Sequence, residues 1–380
     1  MEEKGSKILQ YVILIAIIAL MIGGSVYANR FFDSTDGSSQ RLLNLGISFV
    51  AMLIGLYVNI ILHEIGHLIG GLRSGYRFVA FNVFRSTVKK ENGKLKVKRC
   101  RFPGAMGGCI LSPPDMNDGK YPFKLTTCFG FLVNFLIGAV CFILLFSIAG
   151  ISGFAAVVLL FTGIWGIGLG VLNLVPINTI LPNDGYIFFH MGKEENASMR
   201  RGFWSGNRVQ ILDTEGVRPR DIPTELFDWV DKDNVKDVFT LGTAGIQYKY
   251  YLDGRELDRA RALMQSLCNN SSNIPKVQMD SGYCDLLFQE MVNECREGAI
   301  DRLYTKGVKD FMSIARSEMN VQRTLYAHAL LVLKDPVKAK KHLSLFQRAC
   351  ASSIWSGTAI MELELIALVD EIASERGVSL

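Results

Sequence analysis

Four stretches of this chain are long and apolar enough to cross a bilayer, and all of them lie in its first half: Ile8–Tyr27, Leu42–Leu72, Leu125–Ala149 and Phe154–Val175. A helix needs roughly 20 residues to span about 30 Å of hydrocarbon. The second stretch would be about 45 Å long as one helix, so it is expected to tilt, kink or run past the bilayer. Beyond residue 190 the composition is that of an ordinary soluble domain, and the overall 49% hydrophobic content of the 380 residues averages two unlike halves. The first stretch follows Lys4 and Lys7 and precedes "SVYAN", a weak cleavage site. It therefore resembles a signal peptide, but its apolar core is longer than such segments carry, and an uncleaved anchor is expected.

Orientation follows from the basic residues. The segment 73–124 is rich in them (Arg73, Arg77, Arg85, Lys89, Lys90, Lys94, Lys96, Lys98, Arg99 and Arg101), whereas 150–153 has none. Basic loops stay on the cytoplasmic side. This predicts a multi-pass protein of the cytoplasmic membrane with four crossings, its N-terminus inside and its C-terminal half in the cytosol. The net charge of +5 needs no nucleic-acid partner, since a basic loop beside anionic headgroups accounts for it. The eight cysteines show no C-x-x-C spacing and are expected to be free thiols.

The second apolar stretch ends in "ILHEIGHLIG", Ile61–Gly70. Ionisable residues inside a membrane helix cost about 2.5–3.5 kcal/mol each on insertion scales, so a chance coincidence of three is disfavoured there. His63 and His67 are four apart and share a helix face. With Glu64 they form H-E-x-x-H, two imidazoles for one metal ion and a carboxylate able to take a proton from metal-bound water. A catalytic zinc site needs a third protein ligand and an open position. "NLVPINTILPNDGYIFF" breaks the fourth stretch with Asn173, Pro176, Pro182 and Gly185, and carries Asp184. Irregular backbone at membrane depth survives where protein buries it or a wet cavity solvates it. Both stretches run from outside to inside, so Asp184 is expected at the same end as the histidines. His190 is the alternative third ligand.

These residues together resemble the site-2 protease family of intramembrane zinc metalloproteases. "HEIGH" matches the first family motif, and "NLVPINTILPNDG" is similar to the second, an N-x-x-P stretch leading to D-G. "GFLVN", Gly130–Asn134, resembles the G-P-x-x-N of the helix between them, with Phe131 in place of Pro. The similarity covers about residues 42–190. Two departures concern the loop: Asn173 stands further before Asp184 than in many members, and Asn183 replaces a common Leu. The resemblance implies one zinc ion on His63, His67 and Asp184, Glu64 as the base, and Asn173 as a substrate or oxyanion contact.

Between the second and third stretches, "RFVAFNVF" and "KLKVKRCRF" are strand-like, and Asn92-Gly93 is a strong turn signal. This predicts a membrane-proximal β-hairpin over about 77–101, able to add an extended substrate as a further strand or simply to lie on the membrane surface. The glycines of "PGAMGGCILSPP" permit close backbone approach and are expected beside the metal. Gly66 and Gly70 suit tight helix packing.

The expected organisation is an anchor and external loop at 1–41, a three-helix metalloprotease core at 42–190, a linker or adaptor at 191–242, and an all-α cytosolic domain at 243–380. Helix pairs meeting at Asp253-Gly254 and Asp335-Pro336 suggest tetratricopeptide-like stacking, with a plain helical bundle as the alternative. The leading functional expectation is a zinc endopeptidase that cleaves a membrane-anchored protein or peptide precursor, with a possible protein partner on the helical domain. The competing expectation is a non-catalytic metal-containing scaffold. Intact Glu64 argues against it, since a structural site needs no base. A metal transporter is a third reading, disfavoured because the third stretch offers little polar beyond Asn134.

Overall fold

A computed structural model describes residues 2–32, 38–84, 86–91, 94–99, 107–270 and 274–378. The contacts divide the chain into two compact units, one of Met1–Val83 with Met106–Asn196 and one of Phe84–Ala105 with Ala197–Leu380.

The first unit contains α1 (Glu2–Ala28), α2 (Ser38–Arg73), α3 (Lys124–Ser147), α4 (Gly153–Leu174) and the short α5 (Asp184–His190). The first four are long and apolar enough to cross a membrane, and they coincide with the four apolar stretches. α2 runs unbroken for 36 residues, because no proline interrupts it. It stops where Gly75 turns to φ +83°. There the Tyr76 amide bonds Gly71 O at 3.0 Å and the Gly75 amide bonds Leu72 O at 3.3 Å, a Schellman cap that glycine makes without strain. α4 ends just before Pro176, as the residue preceding a proline leaves the helical region.

Small residues set the spacing of these helices. A Cβ on Gly66 would lie 2.4 Å from Phe129 O, and one on Gly70 2.3 Å from Leu125 O. The backbones of α2 and α3 therefore touch along the face that carries the histidines. This is the close packing that small-x-x-x-small spacing allows. α1 packs Ile13, Ile17 and Met21 into a cluster with Phe161 and Ile164 of α4.

The strand β1 (Arg77–Val83) belongs to the same unit and pairs antiparallel with β4 (Gly107–Ser112), with Phe81 opposite Cys109 and Val83 opposite Gly107. The hairpin proper is formed by β2 (Ser86–Glu91) and β3 (Lys94–Lys98), with Val88 opposite Val97, and is counted with the second unit. The segment expected as a hairpin over 77–101 thus contributes β1, β2 and β3 to a four-stranded sheet of order β3-β2-β1-β4, with "RFVAFNV" also pairing with the glycine-rich segment downstream. The Asn92-Gly93 turn lies outside the described residues.

The second unit continues through α6 (Ala197–Glu215), α7 (Val238–Asp253), α8 (Leu257–Asn270), α9 (Lys276–Val292), α10 (Glu297–Leu303), α11 (Lys306–Ile314), α12 (Met319–Ala327), a π-turn at His328–Val332, α13 (Pro336–Ala351) and α14 (Ser356–Glu375). Residues 197–215, read as linker from their polar composition, form the regular helix α6. Asp237 caps α7 through the amides of Phe239 and Thr240, and Asp335 caps α13 ahead of Pro336, the arrangement that favours helix starts. Leu252, Leu287, Phe288, Met291, Tyr326, Leu330, Phe346 and Val369 form its core.

Candidate metal centre

Three potential ligand atoms converge in the first unit. Nε2 of His63 and Nε2 of His67 are 3.0 Å apart, and Asp184 Oδ2 lies 3.1 Å from the first and 3.3 Å from the second. Among the described residues, His63, His67 and Asp184 form the one group of side chains able to hold a metal ion. α2 presents both histidines from one face. The broken chain after α4 then returns Asp184 to them at the start of α5.

The protonation of the rings follows from their outer partners. Asn134 Nδ2 donates to Asn59 O at 3.1 Å and to Asn59 Oδ1 at 3.2 Å, which leaves Asn134 Oδ1 as an acceptor. His63 Nδ1 lies 2.7 Å from that oxygen, so it must donate. His67 Nδ1 lies 2.7 Å from the Thr126 carbonyl and must donate as well. In each neutral ring the proton therefore sits on Nδ1, and Nε2 offers a lone pair. Asp184 Oδ2 is itself buried without a hydrogen bond. Three lone-pair donors facing each other in a sheltered site repel unless a cation lies between them. Donors placed tetrahedrally at ~2.0–2.1 Å from zinc stand about 3.3 Å apart, so the observed spacing fits such an ion with little adjustment.

The chain makes room for this arrangement. A Cβ on Gly130 would lie 2.6 Å from His67 Cε1 and 2.8 Å from His63 Cε1, so only glycine lets α3 pass the two rings. Asn134 stands one turn further on the same helix. Asn59 is anchored in turn, with Nδ2 donating at 2.9 Å to both Gly55 O and Thr162 O. Fixing the ring nitrogen opposite the ligand atom in this way orients and strengthens a metal-binding histidine.

Asp184 is held by its neighbour. Asn183 Nδ2 donates to Leu172 O at 2.8 Å and Val175 O at 2.7 Å, while Oδ1 accepts from Ile177 N at 3.0 Å and Tyr186 N at 2.9 Å. One side chain thus closes the loop and caps α5. Gly185 lets the loop pass α4, since a Cβ there would meet Leu174 O at 2.1 Å. Glu64 sits beside the trio. Its carboxylate accepts a hydrogen bond from the backbone of Cys109 in β4, and Gly107 passes it closely enough that a Cβ would lie 3.1 Å from Glu64 Cγ.

No family model matches this chain, and neither does any curated protein or solved structure. Function therefore has to be argued from the site itself.

Two expected residues are not among the converging atoms. Asn173 donates to Leu169 O of its own helix at 3.1 Å. His190 stacks on Tyr186 at 4.3 Å between centroids and places Nδ1 3.1 Å from Tyr186 O. Conversely, Asn59, Thr126, Gly130, Asn134 and Asn183 serve the site although no role was read for them. The spacing of Gly130 and Asn134 was visible in "GFLVN". The Thr126 carbonyl leaves no mark in a sequence.

Proposed function

We propose that the protein is a zinc metalloendopeptidase acting within the membrane, as the resemblance to site-2 proteases implies. The observation that carries the reading is the convergence of His63 Nε2, His67 Nε2 and Asp184 Oδ2 at 3.0–3.3 Å, with Glu64 adjacent. The donor set of two imidazoles and a carboxylate suits zinc. When bound, the ion would supply Lewis-acid polarisation of a peptide carbonyl and make water a nucleophile at neutral pH.

The chain's own groups do the rest. Glu64, steadied by the Cys109 amide, accepts the proton of the attacking water and passes it to the leaving amine. A peptide bond within a helix is shielded by its own hydrogen bonds, so the substrate must be extended there. Of the strands in this unit, β4 reaches Glu64. Since the Cys109 N–H faces Glu64 rather than β1, the two-residue period of a strand turns the amides of Gly107 and Leu111 the same way. We assign pairing with an extended substrate to β4 rather than to the hairpin. Asn173 remains a substrate contact only if its amide releases Leu169. The substrate would be a membrane-anchored protein or peptide precursor in the cytoplasmic membrane, with the helical half in the cytosol as a binding module.

Glu64→Gln is the decisive variant. It should abolish proteolysis and leave the metal bound, because all three ligands remain. Comparative membrane proteomics against the parent chain, with metal content measured on the same preparations, should show a fragment that disappears. Full metal retention with no fragment lost would favour the non-catalytic scaffold instead.

A further inference from the structure

The second unit contains a polar cavity of about 280 Å³ lined by residues of α7, α9, α12 and α14, among them Tyr248, Asp285, Arg323, Trp355 and Glu362. Its charged lining holds three carboxylates, Asp285, Glu318 and Glu362, against two cations, Lys249 and Arg323. The Arg323 side chain, 1% exposed, bonds Glu362 Oε1 at 2.8 Å and Asp285 Oδ1 at 2.7 Å, and its guanidinium lies 4.0 Å from the centre of the Phe288 ring. Arg323 thus serves two carboxylates, on both of which Lys249 also acts, while Arg323 Nε has no hydrogen-bond partner. The Glu362 side chain is 3% exposed, and its Oε2 has no hydrogen-bond partner. A buried carboxylate oxygen left without a donor costs more than a neutral group would, and native structures rarely keep one without a reason. The remaining wall supplies apolar surface from Leu252, Met319, Met361 and Trp355. Lys249 also lines the cavity and is exposed.

We propose that this cavity is a binding site for a cationic amine, a primary ammonium or guanidinium on a short apolar stem, with Glu362 Oε2 as its acceptor. The charge supplied would offset the excess of carboxylate over Arg323 and Lys249 in the lining, and the stem would lie along Trp355 and Met319. The volume is near the lower end of ligand pockets, which limits the bound part to a small amine or the end of a chain. Lys249 competes for the same field. The inference is independent of the metal site and of any catalytic activity.

Trp355 supplies a local fluorescence readout for the full-length protein in detergent. Titration with n-butylammonium or n-butylguanidinium should give a saturable change that Trp355→Phe removes, whereas valerate, an anion of similar size, should give none. Glu362→Gln should weaken binding about tenfold or more, as loss of a charged hydrogen bond does, and Lys249→Gln should tighten it. If Glu362→Gln fails to fold, Ser281→Trp at the cavity wall should block binding while keeping every ion pair. A short peptide amide with a free N-terminus, compared with its acetylated form, separates the sources. Binding of the free form alone identifies a chain end, and binding of butylammonium without the peptide identifies a small amine. The proposal is overturned if neither cation gives a saturable change, if valerate binds equally well, or if binding survives both Glu362→Gln and Ser281→Trp.

Discussion

Asn134 decides the chemistry of His63 without touching the place where an ion would lie. Its own amide is committed to Asn59, so its oxygen can only accept, and His63 can only donate from Nδ1. Asn134→Leu should therefore leave α3 folded but free the ring, and metal affinity should fall by about 10–100-fold, the usual cost of losing such a partner. Competition with a chelator would measure this, and Asn134→Asp, which keeps an acceptor, should recover part of it. Gly130→Ala separates metal binding from stability. Alanine is the better helix former by about 1 kcal/mol, yet its Cβ would press on both rings. We expect metal loss with a melting temperature close to that of the parent chain stripped of its metal, and metal retention would show that the rings are not fixed as described. At this scale the sequence disclosed that His63 and His67 share a face, because H-E-x-x-H depends on a helical period. It did not disclose their orientation, which rests on a carbonyl at Thr126 and on an amide whose direction only its neighbours determine.

The element that matters most is the loop between α4 and α5. In the sequence, Asn183 is a departure from the Leu common in site-2 proteases and casts doubt on the loop's shape. In the structure, its four hydrogen bonds reach Leu172, Val175, Ile177 and Tyr186 and give the loop that shape. Asn183→Leu should remove roughly 2–6 kcal/mol of local order, at about 0.5–1.5 kcal/mol for each of the four bonds. Hydrogen exchange across 176–186 should rise and metal affinity should fall, while the four long helices keep their protection. If affinity stays unchanged, Asp184 is held by something other than this loop. The long helices themselves were legible, because twenty apolar residues admit few alternatives. The pairing of β1 with β4 was not. Its partner strand is glycine-rich, lies far along the chain and lacks the alternation that marks a strand, whereas Asn92-Gly93 drew attention to the nearer hairpin.

At the scale of the whole molecule, the two units are interleaved in sequence: the hairpin 84–105 interrupts the first unit and is counted with the second. Lys89 of β2 is 7% exposed, and its Nζ donates to the Thr214 carbonyl in the last turn of α6. A cation there meets the negative end of the helix, and a buried charged hydrogen bond contributes about 1.5–3 kcal/mol. The chain runs from β1 into this hairpin within a few residues, and β1 pairs with β4, whose Cys109 amide bonds Glu64. Lys89 is therefore a contact that fastens the hairpin to α6 within the second unit. Lys89→Met keeps the aliphatic stem and removes the charge. Hydrogen exchange should rise in 86–98 and at the end of α6, and metal content should not change, because no ligand lies in that segment. If the helical half acts on the site through the hairpin, cleavage of a natural membrane substrate should fall severalfold while cleavage of a generic unfolded membrane peptide changes less. Equal loss on both substrates would mean that the hairpin only supports the core. Unchanged exchange would mean that Lys89 is not what fastens the hairpin, and the coupling would have to run elsewhere.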